Sequence, residues 1–252
     1  MRALSVVIIT YNEERNIERC LVSLKKVCDE IIVLDSFSTD QTEAICHSHH
    51  VKFVQHAFDG HIQQKNRALQ LAETEWVLSL DADEALTEEL SQSILKVKQH
   101  PTGEAYAFNR LTNYCGHWVK HCGWYPDTKT RLVKKERAHW TGVNPHDRLE
   151  RMDQGKAELL KGDLLHYSYY TKEDHFKQIE YFGNIAAKEL FDQGKNISWV
   201  LLYVKVVNQF IKSFWVKLGI LDGRTGFLIS LRSAYATYVK YCKLRTLNKQ
   251  SR

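Results

Sequence analysis

What this chain lacks narrows it first. No G-x-G-x-x-G follows the first apolar run, which argues against a dinucleotide site of the Rossmann kind, and no P-loop lysine motif occurs. A nucleotide would therefore be held by side chains: an aromatic ring, carboxylates toward ribose or base, and a metal on the phosphates. No charged-then-apolar leader opens the chain, and its C-terminal apolar runs fall far short of the ~20 residues that span a bilayer. The expectation is a cytoplasmic protein without a transmembrane helix. Six cysteines without a secretion signal are expected to remain thiols.

What is present fits an ordinary globular protein. The 252 residues, 44% of them hydrophobic, suffice for one large α/β domain or one domain plus an extension. Charge is uneven. Residues 195–252 carry eleven Lys/Arg against Asp222 alone, a net +10, which leaves −5 on residues 1–194 of a total of +5. A basic tail on an acidic body points to an anionic partner: a membrane surface, nucleic acid or a phosphorylated substrate. No recognised nucleic-acid motif accompanies the charge, so nucleic acid is not expected.

The first hundred residues repeat a strand–helix rhythm. Leu4–Ile9 is a continuous apolar run of the kind buried in a parallel sheet. Asn12 is a candidate N-cap for a helix whose face is Ile17, Leu21 and Leu24. Glu30–Asp35 predicts a second strand, and Asp40 with Glu43 resembles a capping box for the next helix. Further strands are expected at Val51–Gln55 and Glu75–Leu80, and helices at Ile62–Ala72 and Thr87–Lys98. Such alternation argues for a doubly wound, mostly parallel sheet with right-handed connections.

Three of these strands run straight into polar clusters: Thr10-Tyr11-Asn12-Glu13, Asp35-Ser36 and Asp81-Ala82-Asp83. In an open α/β sheet the strand C-termini share one rim, where ligands bind. Two carboxylates set two apart at such a rim repel unless a cation sits between them. Mg²⁺ and Mn²⁺ take oxygen ligands and commonly bridge to phosphates. Taken singly, each acid has a plainer use as a helix cap or solvated loop residue. Their convergence is the signal.

Beyond Pro101 the alternation stops. Ala105–Arg110 and Thr130–Val133 read as strands around an irregular stretch rich in Tyr, Trp, His and Gly, of the kind that builds acceptor surfaces. Asn144-Pro145-His146-Asp147 is expected in a loop, and Lys172–Asp192 as a long helix. Cys115, His117, His121 and Cys122 cluster, but C-x-H-x3-H-C is not the spacing of a common zinc site, and an aromatic loop with incidental ligands is the plainer reading. His47, His49 and His50 fit the C-terminal end of a helix. Trp199–Leu221 reads as one amphipathic helix with Lys205, Asn208, Gln209 and Lys212 on one face, suited either to a membrane interface or to packing on the main domain.

Ser5–Glu14, Val33–Ser36 with Ser38–Asp40, Gln64-Lys65-Asn66 and Leu80–Glu84 together resemble the inverting glycosyltransferases of family 2, which have the GT-A fold. Gly123-Trp124, Arg131-Leu132, His146-Asp147, His166 and the tail Gly219–Gly223 with Gly226-Phe227 are similar to a branch that includes lipopolysaccharide inner-core β-1,4-glucosyltransferases. The resemblance implies a GT-A sheet flanked by helices with a helical basic C-terminal extension. Residues 1–100 would be the nucleotide-sugar half, 101–194 the acceptor half and 195–252 the extension.

Roles follow position by position. Thr10, Tyr11, Glu13, Asp35, Lys65, Asp81, Ala82 and Arg131 would bind the UDP-sugar. Asp83 and His166 would hold Mn²⁺ or Mg²⁺, and Asp147 would be the catalytic base. Two positions depart from the pattern: Phe37 replaces a small residue, and Asp147 stands where the branch more often has glutamate. The implied reaction moves a hexose, from UDP-glucose, to a lipid-linked saccharide such as inner-core heptose, at an anionic membrane surface on the inner face of the inner membrane. Another cell-surface polysaccharide as acceptor, a sugar nucleotidyltransferase and a non-catalytic scaffold are the alternatives.

Overall fold

The computed structural model describes residues 2–143 and 146–251. They divide into two compact units, Met1–Arg110 with Asp127–Tyr167 and Leu111–Pro126 with Ser168–Arg252. The three-part division drawn from the sequence cuts the chain differently, since segment 111–126 groups with the C-terminal residues.

In the first unit the strand–helix rhythm is realised as β1 (Leu4–Thr10), α1 (Ile17–Leu24), β2 (Glu30–Asp35), α2 (Thr42–Ser48), β3 (Lys52–Gln55), α3 (His61–Leu71) and β4 (Trp76–Asp81). The chain continues as β5 (Glu84–Leu86), α4 (Glu88–Gln99) and β6 (Ala105–Tyr114), whose last residues, with β7 (His117–Val119), fall in the second unit. β8 (Asp127–Lys134), β9 (Ala138–Val143), β10 (His146–Arg151) and β11 (Glu158–Tyr169) complete the strands. The main sheet has the order β3-β2-β1-β4-β8-β6-β11-β5, with β7 paired to β6. Pairing is parallel from β3 to β4 and antiparallel between β4 and β8 and between β8 and β6. β9 and β10 form a separate antiparallel ribbon.

β1 is apolar apart from Ser5 and Thr10 because both its faces are covered. Val6 and Ile8 join the layer formed with Ile17, Leu21 and Leu24 of α1, while Val7 joins Ile32, Leu34, Ala68 and Leu69 on the other side. Each such side chain contributes about 1.5–3 kcal/mol on burial. The register then sets the rim: Thr10 lies beside Asp35, and Ile9 beside Asp81. After β4 the chain turns through Ala82-Asp83, and β5 pairs antiparallel with β11, bringing Glu84 beside His166.

Four local expectations are corrected. Asn12 does not cap α1, whose N-cap is Asn16; it takes a left-handed backbone (φ 54°) in the turn. Asp40 does not form a capping box with Glu43; it accepts from the backbone N–H and hydroxyl of Thr42 and from the N–H of Glu14. Asp147 lies on a strand, opposite Gly142, where the sequence suggested a loop; Asn144 and Pro145 of that stretch lie outside the described residues. Trp199–Leu221 is not one helix, as the second unit makes clear.

That unit contains α5 (Lys172–Asp192), α6 (Trp199–Ile211) and α7 (Gly223–Gln250). α6 runs into a π-helical turn at Lys212–Val216, a left-handed Leu218 and a 3-10 turn at Gly219–Asp222. No helix among the described residues is long and apolar enough to cross a membrane. Arg232 is buried and donates to the Tyr114 hydroxyl (2.7 Å) and the Lys172 carbonyl (2.5 Å), under the Phe176 ring. Burial, and then Arg232 itself, pull the nearby His175 down to about 4.

The tail glycines have a steric reason. A Cβ on Gly226 would sit 1.8 Å from the Gly219 carbonyl oxygen, and one on Gly219 would sit 2.7 Å from the Cys122 sulfur and 2.9 Å from the Ser213 carbonyl oxygen. Backbone meets backbone there, so no side chain can swing aside. Gly226→Ala is expected to cost about 1–3 kcal/mol, the range for overpacking. Urea unfolding should show a lower midpoint; an unchanged midpoint would mean that this contact is looser than described.

Candidate active site

The rim is built from three strand ends. The loops after β1 and β2 are clipped together: the Asn12 N–H donates to Ser38 Oγ (2.8 Å) and the Thr39 N–H to Asn12 Oδ1 (2.8 Å). Asp35 is fully buried and accepts from the Ser38 N–H (2.8 Å), the Ser38 hydroxyl and Gln55 Nε2 (3.4 Å). These bonds order the loop that carries Phe37, which has a left-handed backbone (φ 62°) and is 53% exposed. Tyr11, 58% exposed, stands on the other clipped loop. Thr10 is buried and its carbonyl accepts from the Ser36 N–H (2.9 Å). Two open aromatic rings on tied loops offer flat apolar surface at the rim.

Below them lies a knot of opposite charges. Lys65 of α3, nearly buried, places its ammonium 2.9 Å from Asp81 Oδ1 and 2.8 Å from Asp147 Oδ2. Arg131 of β8 reaches Asp81 Oδ2 at 3.0 Å and Glu84 Oε1 at 2.6 Å. Glu84 Oε2 accepts the Asp81 backbone N–H (3.0 Å), and Arg110 approaches Glu84 at 3.5 Å. Burial opposes charge on Asp81, but Lys65 and Arg131 outweigh it and hold its carboxyl far below the ordinary range. Burial likewise opposes the charged Arg131 guanidinium, and Glu84 with Asp81 keeps it protonated.

Asp147 reaches this knot because the β9–β10 ribbon is fixed to α3. Asn66 Nδ2 donates to the Trp140 carbonyl and the Trp140 N–H donates back to Asn66 Oδ1, both at 2.8 Å. The Trp140 ring then lies under Lys65, at 4.3 Å from its centroid, and under Arg131, at 5.3 Å. Adjacent Lys65 and Asn66 thus hold the carboxylate and the ribbon that carries it.

Asp83 is differently partnered. Its Oδ2 lies 3.1 Å from His166 Nε2, and its carbonyl accepts the Tyr167 N–H (2.9 Å). Burial pushes its carboxyl up, but His166 prevails and the group stays below the ordinary carboxylate range. Among the described residues no set of three or more His, Cys, Asp or Glu side chains is arranged to hold a metal ion. A carboxylate–imidazole pair is nevertheless compatible with Mg²⁺ or Mn²⁺, which bind through one or two protein ligands and fill the shell with waters and phosphates. Neighbouring ligands in an octahedral shell with ~2.1 Å bonds lie ~3 Å apart, close to the separation seen here.

Glu13 completes the acidic side. It accepts from Asn16 Nδ2 at 2.7 Å, and its carboxyl is pushed up to about 7, chiefly by burial, with Asp83, Asp40 and Asp81 adding repulsion. The structure therefore brings Glu13, Lys65, Asp81, Asp83, Arg131, Asp147 and His166 to one end of β4 and its neighbours. Ala82 is buried within the turn. Glu84 and Trp140 were not singled out from sequence. Glu84 directly follows the aspartate pair, which was a readable sign; Trp140 is far from Lys65 in the chain and gave none.

The Cys115–Cys122 cluster, in the second unit, divides. His121 Nδ1 and His117 Nε2 lie 3.0 and 3.6 Å from Asp222 Oδ1, and the His121 N–H donates to Asp222 Oδ2 (2.9 Å). Cys122 is buried near the Gly226 carbonyl and the Ser230 hydroxyl.

Comparison with known proteins agrees with this architecture. Residues 5–162 match the sequence profile of Glycosyl transferase family 2. An uncharacterized glycosyltransferase of Rickettsia typhi is 31% identical over 262 residues, covering 100% of this chain and 90% of that protein. The lipopolysaccharide core biosynthesis glycosyltransferase LpsC of Rhizobium meliloti is 24% identical over 255 residues, covering 96% and 91%. Among solved structures, Staphylococcus aureus TarS in complex with UDP overlaps 99% of this chain and 92% of its own at 18% identity and a TM-score of 0.45. The chain belongs to glycosyl transferase family 2. It is accordingly a transferase, built on a mixed α/β sheet.

The raised Glu13 has a signed consequence. In the folded protein it keeps its proton up to about 7, whereas an unfolded chain releases it near the ordinary 4.5, so this group's stabilising contribution is full below about 4.5 and falls as pH rises through 7. Relative to Glu13→Gln, the wild-type melting temperature should fall as pH rises from about 4.5 to about 7 and level off above that. Parallel curves for the two proteins would contradict the burial of this carboxyl.

Proposed function

We propose that the protein is an inverting, metal-dependent hexosyltransferase that uses UDP-glucose and acts on a lipid-linked saccharide such as inner-core heptose, on the inner face of the inner membrane. The observation that carries this reading is the meeting of Asp81, Asp83–His166 and Asp147 around the C-terminal end of β4, with Lys65 between two of the three carboxylates. Family membership supports the donor class, and the name of LpsC supports a lipopolysaccharide-type acceptor. Residues 1–100 are read as the donor half, 101–194 as the acceptor half and 195–252 as the membrane-facing extension.

In this mechanism the acceptor hydroxyl attacks the anomeric carbon in a single displacement and Asp147 removes its proton. Tyr11 offers an aromatic face to the uracil, Glu13 and Asp35 lie toward ribose and base, and Thr10 and Ala82 shape the floor. Asp83 and His166 would hold Mn²⁺ or Mg²⁺, which would supply charge neutralisation for the departing diphosphate. Arg131 keeps Asp81 in place. Lys65 has a double use: it pairs with Asp147 in the free protein, and a diphosphate would compete for the same ammonium.

Two substitutions test the assignment. Asp147→Asn should lower turnover by roughly 10²–10⁴-fold, the usual contribution of a general base, while UDP binding by calorimetry stays within a few-fold. Near-normal turnover would refute the base. Asp83→Ala should remove the dependence of UDP affinity on Mn²⁺; an affinity that still responds to Mn²⁺ as in the wild type would refute the ligand.

A further inference from the structure

We propose that the exposed face of α6 and the turn after it is a membrane-contact surface that lies in the headgroup region of an anionic bilayer. The inference deepens the functional reading, on which it rests for its biological purpose; its physical basis lies within the second unit.

α6 presents three faces. Leu202 is buried with Ala187, Ile197 and Leu244, and Val206 packs against the same cluster. A second face carries Lys205, Asn208 and Lys212, a third of a turn or so around the helix. The third, Val200, Val204, Val207 and Ile211, repeats at i, i+4, i+7 and i+11 and is 75, 49, 56 and 44% exposed. Trp215, Val216 and Leu221 continue the exposed apolar surface beyond the helix. A helix in water ordinarily turns one apolar stripe to the core and polar groups outward. Here a second apolar stripe faces outward, and an apolar stripe left in solvent beside charged residues marks an interaction surface.

The surrounding residues identify the occupant. Trp199 and Tyr203 stand at one end and Trp215 at the other, all three exposed; rings with a polar edge favour the headgroup level of a bilayer. Lys205, Lys212, Lys217 and Arg224 lie on or close in sequence to α6 and its turn, Arg245 lies 4.4 Å over the Trp199 ring, and Asp222, the one acid in residues 195–252, is engaged by His121. A second copy of the chain would set these cations against one another, whereas anionic lipid complements them. With 13 residues α6 is well short of the ~20 that span, so the fitting arrangement is a helix in the interface plane, apolar stripe inward and lysines at its border.

The test is cosedimentation of the full-length protein with phosphatidylcholine vesicles and with mixed phosphatidylcholine–phosphatidylglycerol vesicles, without nucleotide sugar. Preferential binding to the mixed vesicles is expected, weakened roughly tenfold or more by Lys205→Glu with Lys212→Glu and equally by Val204→Asp with Val207→Asp. The valine variant should keep the wild-type melting temperature and the wild-type rate of UDP-glucose hydrolysis measured without vesicles. Wild-type-like vesicle binding by the valine variant would overturn the proposal. So would a wild-type dimer in sedimentation that the variant renders monomeric, since a second copy would then be the occupant. Vesicle binding is scored without sugar and hydrolysis without lipid, so failure here and failure of the enzymatic reading are separate results.

Discussion

The site depends on one buried ionic knot. Lys65 and Arg131 both grip Asp81, one from a helix and one from a strand, and Glu84 anchors Arg131 from below. Because all four groups are tied to different elements, the knot fixes α3, β4, β5 and β8 against each other at the rim. A buried pair of this kind is costly to desolvate and contributes little net stability compared with apolar packing. Its effect is positional: it sets the direction of the β4 terminus, and through Lys65 it also sets where Asp147 lies.

The knot makes the two aspartates of the D-x-D pair unequal. Asp81 is saturated by two cations, so its charge is already balanced within the protein. Asp83 pairs with the His166 imidazole at 3.1 Å, with the acids Glu13 and Asp81 also acting on this side of the site. Asp81, gripped by two cations, acts as a strut, whereas Asp83 is the proposed metal ligand. A reading based only on repulsion between two bare carboxylates would treat them alike; the lysine and the arginine break the symmetry.

Much of the first unit was legible in its sequence because its signals are local. A strand covered on both faces must be largely apolar, as Leu4–Ile9 is but for Ser5, and acids at strand ends mark a rim whatever the partners are. The branch motif at Gly219–Gly223 and Gly226 was visible too, although its cause, a backbone-to-backbone approach, required the fold. What escaped depends on distant pairing. The β9–β10 ribbon is held by Asn66, far away in the chain, so Asp147 looked like a loop residue. The break after α6 also lacked a local sign, since Lys212–Val216 keeps helical composition while its backbone widens to π geometry.

Glu84 shows why such a knot persists. It is essentially inaccessible to solvent and cannot touch substrate, yet it binds both Arg131 and the Asp81 backbone N–H. Replacing Glu84 and Arg131 together by well-packed apolar residues could be neutral or stabilising for the fold. It would leave Asp81 with Lys65 alone, and Lys65 would then be drawn more strongly to Asp81 and away from Asp147. The arginine thus lets one lysine be shared between two carboxylates, Asp81 and Asp147, and that sharing ties the β4 terminus to the ribbon that carries Asp147.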